Sequence, residues 1–217
     1  MIKRLINYIY SLYFCLRYLP FKQAIKVPIL VHPFLKIGEL HRGSIILAGS
    51  IYRAMVSWGF DGVEGRAIKR CYLSIHNDGK LILHGKTIFL KGTGIVINGT
   101  NISIGENFLC NCNSFLCANH HDITIGNDCL FGWNVQLNTT DGHTTYVNGV
   151  LNEASAPITI GSHVWIGADN LIFKRSVIPD GCIVAQRSLV SKPFGKPYCL
   201  LAGTPAKVIR ENVDWKG

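Results

Sequence analysis

Branched apolar residues recur every six positions in the C-terminal half of the chain. An α-helix repeats its apolar face at about 3.6 residues and a strand at about 2, so neither element alone explains this spacing. A β-helix explains it, because each turn of the solenoid has three short faces and each face contributes one inward side chain. The pattern predicts an all-β solenoid whose inward positions are Ile160, Ile166, Ile172, Ile178, Val184 and Val190.

The same spacing extends towards the N-terminus with two interruptions. Three extra residues stand near 119–122, and a longer excursion begins at Asp141, with a protruding loop predicted over 143–159. Insertions in a solenoid project as surface loops, and sites are often built there. We therefore divide the chain into an N-terminal helical segment, 1–40, and a β-helix domain, 41–217. The earlier inward positions are Leu83, Phe89, Ile95, Ile104, Cys110, Leu116, Ile125, Phe131 and Leu137.

The N-terminal segment is apolar and bordered by cations. Residues 5–16 are mainly Leu, Ile, Tyr and Phe, and Lys3, Arg4 and Arg17 flank them. This run is shorter than the about 20 residues that span a bilayer, and no small-residue cleavage site follows it. Two interpretations stay open. The segment is a helix packed on the solenoid or on a sister subunit, or residues 1–20 lie on the inner face of a membrane as a peripheral contact of a cytoplasmic protein.

The formal net charge of +9 indicates anionic partners. Nucleic acid is not expected, because no helix-turn-helix, zinc finger or aromatic RNA-reading motif accompanies the charge. The cations gather near the two ends of the chain. That distribution suits lipid at one end and a phosphorylated small molecule at the other.

Cysteine is frequent, with eight in the chain, and several lie near His120 and His121. Zinc sites usually have two well-separated ligand pairs, a pattern that is missing here. Cys110 instead falls on the six-residue spacing, which predicts a small buried side chain. We expect no metal, and free thiols in a reducing cytoplasm.

Three stretches of the sequence carry a resemblance to a known family. They read Ile-Thr-Ile-Gly-Ser-His-Val-Trp-Ile-Gly-Ala from Ile158, Val-Ile-Pro-Asp-Gly-Cys-Ile-Val-Ala from Val177, and Leu-Ala-Gly-Thr-Pro-Ala-Lys-Val-Ile-Arg from Leu201. They resemble the hexapeptide-repeat acyltransferases, in particular the branch of maltose, galactoside and capsule or O-antigen O-acetyltransferases. The resemblance implies a left-handed parallel β-helix. Handedness rests on it alone, because parallel crossovers are normally right-handed.

The resemblance also implies a reaction, the transfer of an acetyl group from acetyl-CoA to a hydroxyl of a sugar or polysaccharide intermediate. The catalytic histidine of the family follows the last strand before a protruding loop, and Asp141-Gly142-His143 falls there. A hydroxyl must lose its proton as the ester forms, and imidazole is a base of suitable pKa. Our hypothesis is that His143 acts as the general base and that either Asp141 or a backbone carbonyl orients it.

Acceptor and donor residues follow from the same resemblance. The family holds its acceptor with an Asn-Phe-Asn-like segment, which Asn111-Cys112-Asn113 matches, and Asn111 is the predicted ligand. Asn119 stands near the position of an acidic acceptor ligand in the family, so recognition is altered there or moved to Asp122 or the loop. His121 is predicted to line the acceptor pocket.

Coenzyme A is expected in a cleft between neighbouring subunits, which makes the assembly a homotrimer. Trp165 would lie beside the pantetheine arm, and the amides near Ala168 and Gln186 would bind it. Arginine and lysine side chains would face the phosphates. The residues predicted for that role are Lys192, Lys207 and Arg210.

Two alternatives remain beside the O-acetyltransferase. One is an N-acetyltransferase that acts on an amino sugar nucleotide. The other is a non-acylating β-helix, either a zinc hydratase, which needs three converging histidines, or a structural module.

Overall fold

A computed structural model describes residues 2–62 and 69–216. Two helices come first, α1 over Ile2–Tyr18 and α2 over Phe21–Ala24. Successive turns of the chain after them are termed coils 1 to 7. Coils 1 to 3 contain β1 (Ile29–Val31), β2 (Lys36–Ile37), β3 (Ile45–Leu47), β4 (Val56–Trp58), β5 (Tyr72–His76), β6 (Lys80–Leu83), β7 (Thr87–Phe89), β8 (Gly94–Asn98) and β9 (Asn101–Ile104).

Coils 4 to 7 complete the solenoid, and a hairpin ends it. Coils 4 and 5 contain β10 (Phe108–Cys110), β11 (Phe115–Asn119), β12 (Ile123–Ile125), β13 (Leu130–Phe131), β14 (Gln136–Asn138), β15 (Thr145–Val147), β16 (Val150–Asn152) and β17 (Ile158–Ile160). Coils 6 and 7 and the hairpin contain β18 (Trp165–Ile166), β19 (Leu171–Phe173), β20 (Val177–Ile178), β21 (Ile183–Val184), β22 (Leu189–Val190), β23 (Cys199–Gly203) and β24 (Ala206–Glu211).

Strands of successive coils stack into three sheets. Sheet A runs β1-β4-β7-β10-β13-β18-β21-β23-β24, sheet B runs β2-β5-β8-β11-β14-β19-β22, and sheet C runs β3-β6-β9-β12-β17-β20. Within the solenoid the strands pair in parallel, so each coil adds about 4.8 Å along the axis. We name the corners of this prism by the sheets they join, as the AB edge, the BC edge and the CA edge.

The predicted inward positions stack on one another at the centre. Ile166 pairs with Phe131 on one side and with Val184 on the other, and Ile160 pairs with Ile125 and Ile178. All of the inward positions read from the six-residue spacing are buried. Branched and aromatic side chains, with Cys110 among them, therefore fill the core without a helix packed behind it.

The BC edge is wider than the others in coils 3 and 4. In both coils the inward residues on either side of this edge stand nine positions apart, from Ile95 to Ile104 and from Leu116 to Ile125. The three-residue enlargement near 119–122 continues an edge that is already wide in coils 1 and 2, where the equivalent residues, Ile37 and Leu47 and then Leu73 and Leu83, stand ten positions apart. In coil 5 the excursion with the antiparallel strands β15 and β16 leaves from this same edge.

Helix α1 covers the open end of coil 1. Val31 N donates to Ser11 Oγ at 3.0 Å, and the Cys15 thiol donates to Ile29 O at 3.4 Å, so the helix supplies partners to the first strand of sheet A. Phe14 and Leu19 are buried in the same core. No helix among residues 2–62 and 69–216 is long and apolar enough to cross a bilayer.

The solenoid begins earlier than the domain prediction has it. Strands β1 and β2 lie within 1–40, the segment predicted as helical, whereas the helices end at Ala24. These strands have three and two residues, which is too short for a sequence pattern to distinguish. The predicted domains, 1–40 and 41–217, also include residues 1, 63–68 and 217, which lie outside the described chain.

Candidate active site

One cavity on the AB edge contains four of the predicted site residues. It has a volume of about 350 Å³, and Asn111, Trp165, Ala168 and Gln186 all line it. They meet because each stands within two positions of the inward residue that precedes the AB edge in coils 4, 6 and 7. The stacking of coils thus brings together residues up to 75 positions apart in sequence.

Backbone atoms form much of this cavity, because small residues occupy its corner. A Cβ atom at Gly167 would lie 2.8 Å from Gln186 N and 3.0 Å from Val184 O, so only glycine permits this approach of coils 6 and 7. Within residues 2–62 and 69–216, the amides of Ala168 and Gln186 donate to no protein acceptor. Both amides are available for an extended polar ligand.

Trp133 also lines the cavity, and the sequence reading missed it. It follows the inward residue Phe131 by two positions, as Ala168 follows Ile166 and Gln186 follows Val184. Trp133 could have been found in the sequence by applying the six-residue spacing to the positions two residues after each inward residue. The two indole rings of Trp133 and Trp165 give the cavity an apolar wall that suits a flexible ligand arm.

The three predicted phosphate ligands divide between two places. Lys207 pairs with Ala202 and Arg210 with Leu200 in the hairpin of β23 and β24, which extends sheet A beyond coil 7. Lys192 follows β22 of sheet B, next to Pro193, which bridges to Val177 at the start of β20. Lys207 and Arg210 therefore stand at the C-terminal end of sheet A, whereas Lys192 lies on the BC edge.

His143 lies on the excursion at the BC edge and is exposed. The base of the excursion, which we call the neck, is closed by a bridge between Thr140 and Ser155 and by the bond from Asp141 N to Ala154 O at 2.8 Å. Beyond the neck, β15 and β16 form an exposed hairpin. The neck, two residues away, is thus the nearest restraint on the chain at His143, which is not held by burial.

Asp141 does not pair with His143 in this structure. Its carboxylate lies 2.7 Å from Nζ of Lys174, a largely buried side chain of coil 6. Lys174 also donates to Glu153 O, and the Glu153 carboxylate pairs with Arg175 at 3.2 Å. Coil 6 thus holds both sides of the neck, a role that the sequence reading did not foresee.

Polar side chains form a ladder below the excursion on the BC edge. Asn98 Nδ2 donates to Asn119 Oδ1 at 2.8 Å, and Asn119 N donates to Thr139 Oγ1 at 2.8 Å. Asp122 accepts from Thr100 Oγ1 and from Asn101 N, so its carboxylate is occupied within the protein. His121 is half-buried on the same edge. Asn119 and His121 therefore share an edge with His143, and not with Asn111.

Burial keeps the thiols of two cysteines, Cys110 and Cys129, protonated. All eight cysteines are free, and burial raises the pKa of the Cys110 thiol to about 12 and that of Cys129 to about 11. A thiol with such a pKa carries almost no thiolate near neutral pH. No group of three or more His, Cys, Asp or Glu side chains in the described parts of the chain is arranged to hold a metal ion.

The curated proteins that match this sequence include O-acetyltransferases. The galactoside O-acetyltransferase of Escherichia coli K12 is 38% identical over 114 residues, which are 51% of this chain and 54% of that protein. The polysialic acid O-acetyltransferase of Escherichia coli O1:K1 is 32% identical over 97 residues, 43% of this chain and 31% of that protein. The chain is similar to sugar O-acetyltransferases. The matches span about half the length of the first of these relatives and a third of the second, and no family model matches.

Structural similarity agrees with the sequence match. The crystal structure of the polysialic acid-specific acetyltransferase NeuO superposes with a TM-score of 0.64, covering 87% of this chain and 73% of that chain at 23% identity. At this identity the likeness establishes the fold alone. That fold is the left-handed β-helix, so both the predicted fold class and the predicted resemblance are confirmed.

Proposed function

We propose that the protein transfers an acetyl group from acetyl-CoA to a hydroxyl of a sugar or polysaccharide intermediate. The observation that carries the proposal is the AB-edge cavity, in which four residues chosen from the sequence meet, together with the sugar O-acetyltransferases to which the chain is similar. An extended donor with an apolar arm and a phosphorylated end fits this arrangement of indole walls, available amides and cations.

In the proposed complex, acetyl-CoA is a substrate that lies along the AB edge. The pantetheine arm would pass Trp165 and Trp133 and accept hydrogen bonds from the amides of Ala168 and Gln186. Lys207 and Arg210, at the C-terminal end of sheet A, would face the phosphates. Phosphates at that end would direct the thioester towards coils 4 and 5, where Asn111 lies.

His143 is the proposed general base. A sugar hydroxyl has a pKa far above neutral, so its proton must leave as its oxygen attacks the acetyl carbonyl, and neutral imidazole accepts that proton. A backbone N–H would stabilise the oxyanion. As the C–S bond breaks, the imidazolium returns the proton to the departing sulfur, which releases CoA as the thiol and leaves the sugar ester. The Cys110 thiol, next to Asn111, is buried and its pKa is raised, so it is unsuited to form a covalent acetyl intermediate.

The two halves of the proposed site lie on different edges of one chain. Asn111 and the donor cavity occupy the AB edge, whereas Asn119, His121, His143 and Lys192 occupy the BC edge, with sheet B between them. A site that uses both therefore needs the BC edge of a neighbouring copy beside the AB edge of the first. This geometry supports a homotrimer, in which each of three equivalent clefts combines two chains. Free buried thiols support a reducing, cytoplasmic setting.

The test is an assay of thiol release from acetyl-CoA with a panel of simple sugars, polysaccharide repeat units and amino sugar nucleotides. We expect turnover with a hydroxyl acceptor and a product that mild alkali hydrolyses, since esters are labile and amides resist. An alkali-stable product would identify the N-acetyltransferase alternative. Sedimentation equilibrium measures the assembly at the same time. A monomer that turns over would refute the shared cleft, and absence of thiol release with every acceptor class would count against acetyl transfer.

A further inference from the structure

Helix α1 carries an apolar stripe on the face opposite the solenoid. Ser11, Phe14 and Cys15 turn inward to coil 1 and are buried. The opposite face has side chains spaced by one, three or four residues, so they share one side of the helix. They are between 38% and 76% exposed: Ile2, Leu5, Ile6, Ile9, Tyr13 and Leu16.

The segment directly after α1 is apolar and exposed as well. Phe21, in α2, and Ile25, just after it, are 67% and 56% exposed. Large apolar side chains are therefore exposed on α1 and on the segment that follows it. Exposed apolar surface of this kind marks an interaction site, because isolated apolar residues are common on surfaces but rows of them are not.

The charge around the stripe has one sign. The first acidic residue of the chain is Glu39, so the preceding segment contains cations only: Lys3, Arg4, Arg17, Lys22, Lys26 and Lys36. Two copies of this surface would bring like charges together, which disfavours its burial against itself. An anionic bilayer surface fits both the apolar stripe and the cations around it. Lysine and arginine would contact the lipid headgroups, and the apolar side chains would enter the boundary between headgroups and acyl chains.

We propose that α1 and α2 bind the surface of a bilayer that contains anionic lipid. The stripe would lie parallel to the membrane plane, immersed to a depth of roughly 5–10 Å. The solenoid would stand on the membrane by its N-terminal end, because α1 is fixed to β1 through Ser11 and Cys15. This inference is independent of the proposed acetyl transfer, since it concerns a surface three coils from Asn111.

The experiment is co-sedimentation of the full chain with vesicles of phosphatidylcholine alone and vesicles in which about a third of the lipid is phosphatidylglycerol. We expect binding only to the vesicles that contain phosphatidylglycerol, and we expect this binding to weaken as the salt concentration rises.

The double variant Ile6→Asp with Ile9→Asp should abolish vesicle binding. Lys22→Glu with Lys3→Glu should lower the affinity on the order of five-fold for each cation lost. Tyr146→Asp with Leu151→Asp, which places the same charges on the exposed hairpin, is the matched control and should bind normally.

Three results would overturn the proposal. The first is equal sedimentation with and without anionic lipid. The second is unchanged binding after Ile6→Asp with Ile9→Asp. The third is a change in oligomeric state of that variant, measured by sedimentation equilibrium without lipid, which would assign the stripe to a second copy of the chain. Thermal unfolding of each variant shows whether it is folded, and the exposure of Ile6 and Ile9 predicts that both substitutions are tolerated.

Discussion

Asp141 and Lys174 join the excursion to coil 6 through an ion pair of 2.7 Å. Lys174 directly follows β19 of sheet B, and its side chain is only 11% exposed. The pair therefore restrains the chain two residues before the proposed base. A restraint of this kind affects the chemistry by holding His143 in place rather than by exchanging protons with it.

Removal of the proposed base should stop the chemistry without unfolding the protein. We expect His143→Ala to lower kcat by a factor on the order of 10²–10⁴, as loss of a general base does. His84→Ala is the control, because His84 is bonded to Ser103 on sheet C, away from both edges of the site. Steady-state kinetics measures the change in kcat, and thermal unfolding shows whether the variant is folded. Turnover of His143→Ala at the level of the control would remove His143 from the mechanism.

Loss of the ion pair at the neck should slow transfer but leave the solenoid stable. Lys174→Met is expected to lower kcat/KM for the acceptor roughly ten-fold, because misplacement of a catalytic group by a fraction of an ångström is costly. The unfolding temperature should change little, since the neck lies outside the core. Arg175→Met removes the more exposed pair with Glu153 and should have a smaller effect. A double-mutant cycle with Asp141→Asn measures the coupling; additive effects would show that the pair does not act as a unit.

Charge reversal at the end of sheet A should distinguish two donors. We expect Lys207→Glu to raise the KM for acetyl-CoA more than the KM for its 3′-dephospho analogue, because the substitution repels a phosphate and not the thioester. Lys80→Glu makes the same change on β6 of sheet C and should affect neither donor. Equal losses for both donors would show that Lys207 does not face the 3′-phosphate.

A methyl group at the floor of the cavity should strain two coils. The Cβ of Gly167→Ala would meet backbone atoms of coil 7, which have little freedom to move, and the expected cost is about 1–3 kcal/mol. Such a loss lowers the unfolding temperature by several degrees, about 2–4 °C for each kcal/mol in a protein of this size. Gly195→Ala is the control, because its Cβ would enter open space. Equal unfolding temperatures, measured by calorimetry, would contradict the tight stacking.

Alkylation should avoid the buried thiol. The pKa of Cys110, raised by burial to about 12, leaves it protonated at pH 8, and iodoacetamide reacts with thiolates. We expect no adduct at Cys110 in the native protein and rapid modification after unfolding, both read by mass spectrometry. Cys117 is the internal comparison, because its side chain is partly accessible on sheet B. Rapid native labelling of Cys110 would mean that its coil opens readily.

The core was predictable because it depends on a local rule. Each inward residue follows another by six positions, so burial of Ile166 or Ile172 needs no knowledge of the other coils. The six-residue spacing is interrupted at the wider BC edge of coils 3 and 4, where consecutive inward residues stand nine positions apart. The pairing of Asp141 with Lys174 could not be read in this way. It depends on where an irregular excursion returns to the solenoid, which no repeat in the sequence records.

The regular rise of the coils gives the molecule a built-in length scale. Three coils separate Asn111 from the strand that α1 covers, and at about 4.8 Å each they hold the cavity about 14 Å from that strand. In the proposed membrane-bound state, an acceptor anchored in the same bilayer would have to extend by at least this distance to reach the proposed site at Asn111. If both proposals hold, the number of coils before Asn111 sets the length of the shortest anchored acceptor that the enzyme can use.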